Sequence, residues 1–153
     1  MTIIEDTRQQ VGKHSLKHKY FEESQIKIVR SKLPVGDYAN IKDLSVIVDT
    51  KKDIQEIIGN VTTQHERFRN ECILAQESDI KLIILIENKD NISKVDDLYQ
   101  WYNWRLKKNK KALTGNQLAK ILHTMEEKYG VKFEFCTPEN AGKMICDFIK
   151  GGN

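Results

Sequence analysis

Gly36-Asp37 and, twelve residues on, Asp49-Thr50-Lys51 carry the residue types that metal-assisted phosphodiester cleavage needs. Carboxylates hold a hard divalent cation through oxygen. A lysine ammonium beside them can lower the pKa of an attacking water or offset charge building on phosphorus. Asp49 and Lys51 close the apolar run Leu44-Ser-Val-Ile-Val48. In an extended strand, side chains two apart leave on one face, so these two project together. Taken singly, Asp37 after a glycine is an ordinary turn residue, and Asp49 with Lys51 an ordinary surface ion pair. Taken together they point to a nuclease, because carboxylates gathered at the end of an apolar strand are costly without a cation.

The elements that must position these groups alternate between strand-like and helix-like segments, which predicts an α/β architecture. Residues 2–5, 25–30, 44–49, 80–87 and 131–136 read as strands, the fourth apolar enough to be buried on both faces. Pro34 and Gly36 break the chain ahead of Asp37, placing that acid at a turn or strand start. Helices are expected over 14–24, with Leu16, Tyr20 and Phe21 on one side, and over 53–59. Thr63-Gln-His-Glu66 and Thr114-Gly-Asn-Gln117 match capping boxes and predict two further helix starts, the second ending at Gly130. Thr137-Pro138 opens the last helix.

With 153 residues, 39% hydrophobic and 31% charged, the chain fits one domain over 1–153 with a single good core. No apolar run approaches a membrane span, and the N-terminus lacks the basic start and apolar core of a signal peptide, so a soluble, cytoplasmic protein is expected. Cys72, Cys136 and Cys146 are odd in number and lie in apolar surroundings, which predicts buried free thiols. The net charge of +3 does not announce nucleic acid. Its distribution is more telling: Arg105, Lys107, Lys108, Lys110 and Lys111 fall within seven residues that contain no acid. Such a run is either a solvated helix end or a phosphate-facing patch. Just before it, Leu98, Trp101 and Arg105 share a predicted helical face, core or interface in the bland reading and a base-stacking platform in the sharp one.

In order along the chain, Ile3-Ile4-Glu5-Asp6-Thr7-Arg8-Gln9, Gly36-Asp37-Tyr38, Val48-Asp49-Thr50-Lys51, His65-Glu-Arg67-Phe-Arg-Asn-Glu71 and the strand Lys81–Glu87 resemble the XPF-type nuclease domain of the PD-(D/E)XK superfamily. The resemblance covers most of the chain and matches least over residues 88–113, which it marks as a basic and aromatic insertion. It implies a restriction-endonuclease-like three-layer fold, a central mixed sheet flanked by helices. It makes Asp37 and Asp49 the principal metal ligands, with the Thr50 carbonyl as a further oxygen, and Lys51 the lysine beside the attacking water. Asp6 and Arg8 correspond to the acid and the arginine of an Asp-x-Arg-Glu strand end, and Arg67 to a backbone-phosphate contact. Magnesium is the implied ion, with manganese a substitute.

Three positions depart from the family pattern. Thr50 stands where an arginine is usual, and Gln9 where a glutamate is. The acid expected shortly after Lys51 is displaced, leaving Glu56 or Asp53 to serve. Altogether the sequence predicts an Mg2+-dependent DNA endonuclease acting on branched or flapped DNA, working as a homodimer away from membranes. A Holliday-junction-resolvase-like nuclease and a non-catalytic DNA-binding subunit are the alternatives the same residues allow.

Overall fold

Six strands form a mixed sheet in the order β2-β1-β3-β4-β5-β6 in the computed structural model, which describes residues 1–151. In chain order these are β1 (Thr2–Glu5), β2 (Lys27–Arg30), β3 (Tyr38–Asn40), β4 (Asp43–Lys51), β5 (Lys81–Glu87) and β6 (Lys132–Cys136). β3 is antiparallel to both β1 and β4, while β2 with β1, and β4 with β5 and β6, run parallel. The five helices are α1 (Ser15–Glu23), α2 (Ile54–Val61), α3 (His65–Glu77), α4 (Gly115–Tyr129) and α5 (Ala141–Ile149).

Side-chain alternation divides the core into two layers on either side of the sheet. Ala39, Ile47, Leu82, Ile84 and Ile86 pack against Ile54, Ile57, Phe68, Cys72, Leu118 and Leu122 of α2, α3 and α4. Tyr38, Val48, Ile83 and Leu85 face the other way, against Phe21 of α1 and Ile145 and Ile149 of α5. β5 is central and covered on both faces, which explains its almost unbroken apolar sequence. The predicted three-layer arrangement therefore forms, and the alternating segments appear where the sequence puts them. Among the described residues no helix is long and apolar enough to cross a membrane.

Local chemistry accounts for the boundaries. Asp53 caps α2 by accepting from the Glu56 N–H, and Glu56 returns a bond from the Lys52 N–H. Thr114 and Gln117 form the expected reciprocal box at the start of α4, and Gly130 ends that helix in the left-handed region. The box expected at Thr63 does not form. The Thr63 hydroxyl instead donates to the Gly59 carbonyl at the end of α2, and α3 starts at His65 with no side-chain cap.

Two other expectations are corrected. In α1 it is Lys17 that turns inward while Leu16 stays 48% exposed. Lys17 Nζ lies 2.7 Å from the buried Glu87 Oε2 at the end of β5, and that partner holds the ammonium inside. The helical face expected through Leu98, Trp101 and Arg105 does not form, because that stretch of the irregular segment 88–113 is split into two 3-10 turns, Val95–Gln100 and Trp104–Lys107. Leu98 is buried, Trp101 half-buried and Arg105 exposed. The segment is tied at both ends. Asn88 bonds Asp90 and Ile92, and Gly115 sits so close to Leu98 that a Cβ there would lie 2.2 Å from its carbonyl oxygen.

All three cysteines are buried and free, as expected. Burial pushes the Cys72 and Cys136 thiols up to about 12, so neither is a nucleophile near neutral pH.

A candidate carboxylate and lysine active site

Asp37 is placed by backbone geometry. Gly36 has φ +69°, and a Cβ at that position would lie 2.6 Å from Ile47 Cγ2, so only glycine fits the turn. The Asp37 N–H then donates to the Val48 carbonyl, and its own carbonyl accepts from the Asp6 N–H, both at 2.8 Å. One residue thus links the ends of β1 and β4. Its carboxylate Oδ2 accepts from the Thr50 N–H at 2.7 Å and from the Thr50 hydroxyl at 2.9 Å.

Asp49 and Lys51 leave β4 on one face, as their spacing predicts. Lys51 Nζ stands 2.9 Å from Asp49 Oδ2 and 5.5 Å from the centre of the Phe68 ring. The two side chains are only 9% and 10% exposed. The contact is a close charge pair poorly angled as a hydrogen bond, and among the described residues Asp49 Oδ2 has no aligned donor.

A third carboxylate comes from α3. Glu71 Oε1 accepts from the Gly36 N–H at 3.2 Å, so the turn that delivers Asp37 also holds Glu71. Burial and the neighbouring Asp49 charge push Asp37 well above the usual carboxylate range, against the two bonds from Thr50. Burial and Asp49 also raise Glu71, although Lys51, the Gly36 N–H and Arg8 pull it back. Burial works to lower Lys51, but the Asp49 carboxylate beside it, with Glu56 and Glu71 further off, leaves its pKa above the ordinary lysine value. Lys51 is therefore an ammonium, and more negative charge converges here than one ammonium neutralises.

The donors gathered at this sheet end are oxygens, those of the Asp37, Asp49 and Glu71 carboxylates. Such a set suits a hard divalent cation and not a soft one. The raised Asp37 and Glu71, beside an Asp49 that takes the nearest ammonium, fit a site short of positive charge. Among the described residues no three acid, histidine or cysteine side chains already stand at ligand spacing, so taking up an ion requires these carboxylates to adjust.

Asp6 stands apart from that set. Its Oδ1 accepts from the Arg8 N–H and Nε at 2.8 and 2.7 Å, and its Oδ2 from Arg8 Nη2 and the Leu33 N–H at 3.0 and 2.7 Å. Burial works to raise it, but these bonds outweigh burial and hold it below the usual range. Asp6 is saturated and orients Arg8, which is otherwise 63% exposed and lies within electrostatic reach of Asp37 and Glu71. Arg67 is exposed one turn before Glu71 on α3. Arg105, Lys108 and Lys111 line a separate cleft against α2, and Lys107 and Lys110 are exposed beside it. Asp53 and Glu56 serve as the α2 caps described above. His65 is exposed, and His123 bonds Asp96 at 2.7 Å, away from the acids.

Glu71 is the site residue that the sequence reading did not single out. The only signal for it was its place on the arginine-bearing helix, one turn after Arg67, where most acids are merely solvated.

The ERCC4 domain family model matches residues 5–148. The structure of XPF from Aeropyrum pernix is similar with TM-score 0.69 at 15% identity, over 98% of this chain and 64% of that one. XPF from Aeropyrum pernix in complex with DNA matches at the same TM-score and identity, over 97% and 63%. At that identity the likeness speaks for the fold, and this chain spans less than two thirds of those proteins. No curated protein sequence matches it. The XPF-type resemblance and the α/β fold are borne out, and the match over residues 5–148 means that the chain belongs to the ERCC4 domain family.

Proposed function

We propose that this protein is a divalent-metal-dependent DNA endonuclease, residues 1–153 forming one nuclease unit with residues 88–113 inserted. The observation that carries the reading is the gathering of Asp37, Asp49 and Glu71 at one sheet end, where a single ammonium, Lys51, pairs with Asp49 and the other two carboxylates stay raised. Asp37, Asp49, Glu71 and the Thr50 carbonyl would hold Mg2+, or Mn2+ in its place. When bound, such an ion supplies Lewis acidity at the phosphate and a more acidic water. Lys51 cannot act as a general base while protonated. It contributes charge, offsetting the negative phosphorane and orienting the attacking water from the side of Asp49. Asp6 fixes the Arg8 guanidinium, whose exposed edge reaches toward a scissile phosphate. Arg67 and the run Arg105, Lys107, Lys108, Lys110 and Lys111 hold flanking phosphates.

Branched or flapped duplex is the substrate class the family resemblance suggests. A homodimer would double the surface offered to DNA. Labelled flap, fork and four-way DNA incubated with Mg2+ or Mn2+ tests the reading. Cleavage by the wild type that disappears in Asp49→Ala and Glu71→Gln is expected. Binding without any cleavage would instead make this a non-catalytic DNA-binding subunit, and preference for four-way DNA a junction resolvase.

A further inference from the structure

We propose that the cleft between α2 and the segment 103–113 is a subsite for one unpaired nucleotide, its base lying on Trp104 and its phosphates on Arg105, Lys108 and Lys111. The inference rests on the DNA reading and goes beyond it by naming the form of DNA that this face takes. The cleft has a volume of about 570 Å3, enough for a base with its sugar and too small for a stacked base pair and its neighbours. No acid lines it. Trp104 remains 52% exposed although the Arg105 guanidinium packs 5.4 Å from its ring centre. An exposed indole braced by a cation is a stacking platform. A base inside a duplex has both faces already covered, so only an unpaired base has a face to offer it.

A second, independent observation lies in the cleft wall. Asn103 is fixed in orientation, because its Nδ2 donates to the Leu113 carbonyl at 2.8 Å while its Oδ1 accepts from the Arg105 N–H at 3.1 Å. Gln55 must therefore present Nε2 to Asn103 Oδ1, which it does at 2.9 Å. Its Oε1 is left buried and, among the described residues, without a donor. Every base carries an N–H on its pairing edge that is free once the base is unpaired. Gln55 lines the cleft, so a small rotation of its side chain would uncover Oε1 to such an edge entering beside Trp104 and relieve the cost of a buried acceptor without a partner.

Metal-free protein in EDTA, where no strand is cut, tests this by fluorescence anisotropy. The probes are a single strand of about twelve nucleotides and an abasic strand of equal length. Trp104→Ala should weaken the base-bearing strand roughly 5- to 150-fold, the range for stacking one base on an aromatic side chain, and leave the abasic strand unchanged. Gln55→Leu should weaken the base-bearing strand alone, Trp104→Tyr should keep most of the affinity, and Lys108→Ala with Lys111→Ala should weaken both strands. Trp104→Ala acting equally on both strands, or on neither, overturns the subsite. If the wild type cuts flap DNA yet binds both strands alike, only the subsite falls. If it binds neither strand and cuts nothing, the nuclease reading falls with it.

Discussion

Gln9 Nε2 donates to Thr50 Oγ1 across 3.3 Å, joining the two positions where the chain departs from the Asp-x-Arg-Glu and acid-Arg-Lys patterns it resembles. Where that resemblance expects an acid and an arginine, a neutral pair stands instead. The Thr50 hydroxyl passes its own hydrogen to Asp37, so the exchange keeps a donor on that carboxylate. Thr50→Val removes this donor and leaves the backbone N–H in place. At about 1 kcal/mol for a hydrogen bond, or about 3 to a charged acceptor, affinity for a divalent cation should change by roughly 5- to 150-fold. Gln9→Ala should act more weakly, and calorimetric titration of both variants and the double mutant should reveal non-additive effects. Additive effects would mean that the pair does not act as a unit.

Lys51→Met removes the one ammonium among the acids. Cleavage should fall by about 100-fold or more, the scale of losing a preorganised charge at the reacting group. Metal-free protein should also lose stability, by about 3 kcal/mol, because Asp49 is left buried without its partner. Denaturant melts with and without Mg2+ check this, since added ion should recover most of the deficit. A variant that cuts normally would remove Lys51 from the mechanism.

Stability without metal should fall as the pH climbs above the ordinary carboxylate range. Burial and the Asp49 charge raise Asp37 and Glu71, so the folded protein holds protons that the unfolded chain releases. Their contribution is complete below the ordinary carboxylate range and disappears as pH rises through the raised values. Asp6 and Glu5 work in the opposite sense. Burial acts to raise each, but hydrogen bonds hold both low, so their contribution fades only as pH falls through those lowered values. The downward slope of melting temperature against pH should be shallower in Asp37→Asn and vanish when Glu71→Gln is added. Saturating Mg2+ should invert it, because binding displaces the protons.

The pair Lys17–Glu87 should prove dispensable as a pair and indispensable singly. Lys17→Met alone should cost about 3–5 kcal/mol, whereas Lys17→Met with Glu87→Leu should come close to wild type. Equilibrium unfolding distinguishes the two, and equal losses would place the cost in packing instead of charge.

Salt dependence tests the basic run. Alanine at Lys107, Lys108, Lys110 and Lys111 together should flatten the slope of log affinity against log salt on duplex DNA. The change should be about 0.9 for each phosphate that these lysines neutralise in the wild type. An unchanged slope would leave those residues as solvated surface.

Strand and helix positions could be read from the sequence because burial leaves a periodic trace. β5 is apolar throughout since both its faces are covered, and the α4 stripe ends at a glycine that adopts the left-handed region. That Asp49 and Lys51 project together was legible because a strand fixes which side chains travel together, and Asp37 was legible from the glycine turn that delivers it. Glu71 was not, since only the tertiary packing of α3 on the Gly36 turn brings it to the acids. Lys17 escaped for a related reason: its burial depends on a partner seventy residues away, which no local pattern encodes. The Thr63 box failed because α3 begins one residue later than the pattern implies, with Gln64 and not Thr63 at its N-cap.

The anchoring of segment 88–113 bears on how such a protein can diversify. Asn88 ties its entrance to β5, and the Thr114 box with the tight Gly115 contact ties its exit to α4. Residues between those two clamps can be exchanged or lengthened with little disturbance to the sheet end that carries the acids. In the nuclease proposed above, the segment that would grip DNA and the sheet end that would cut it can thereby be retuned separately.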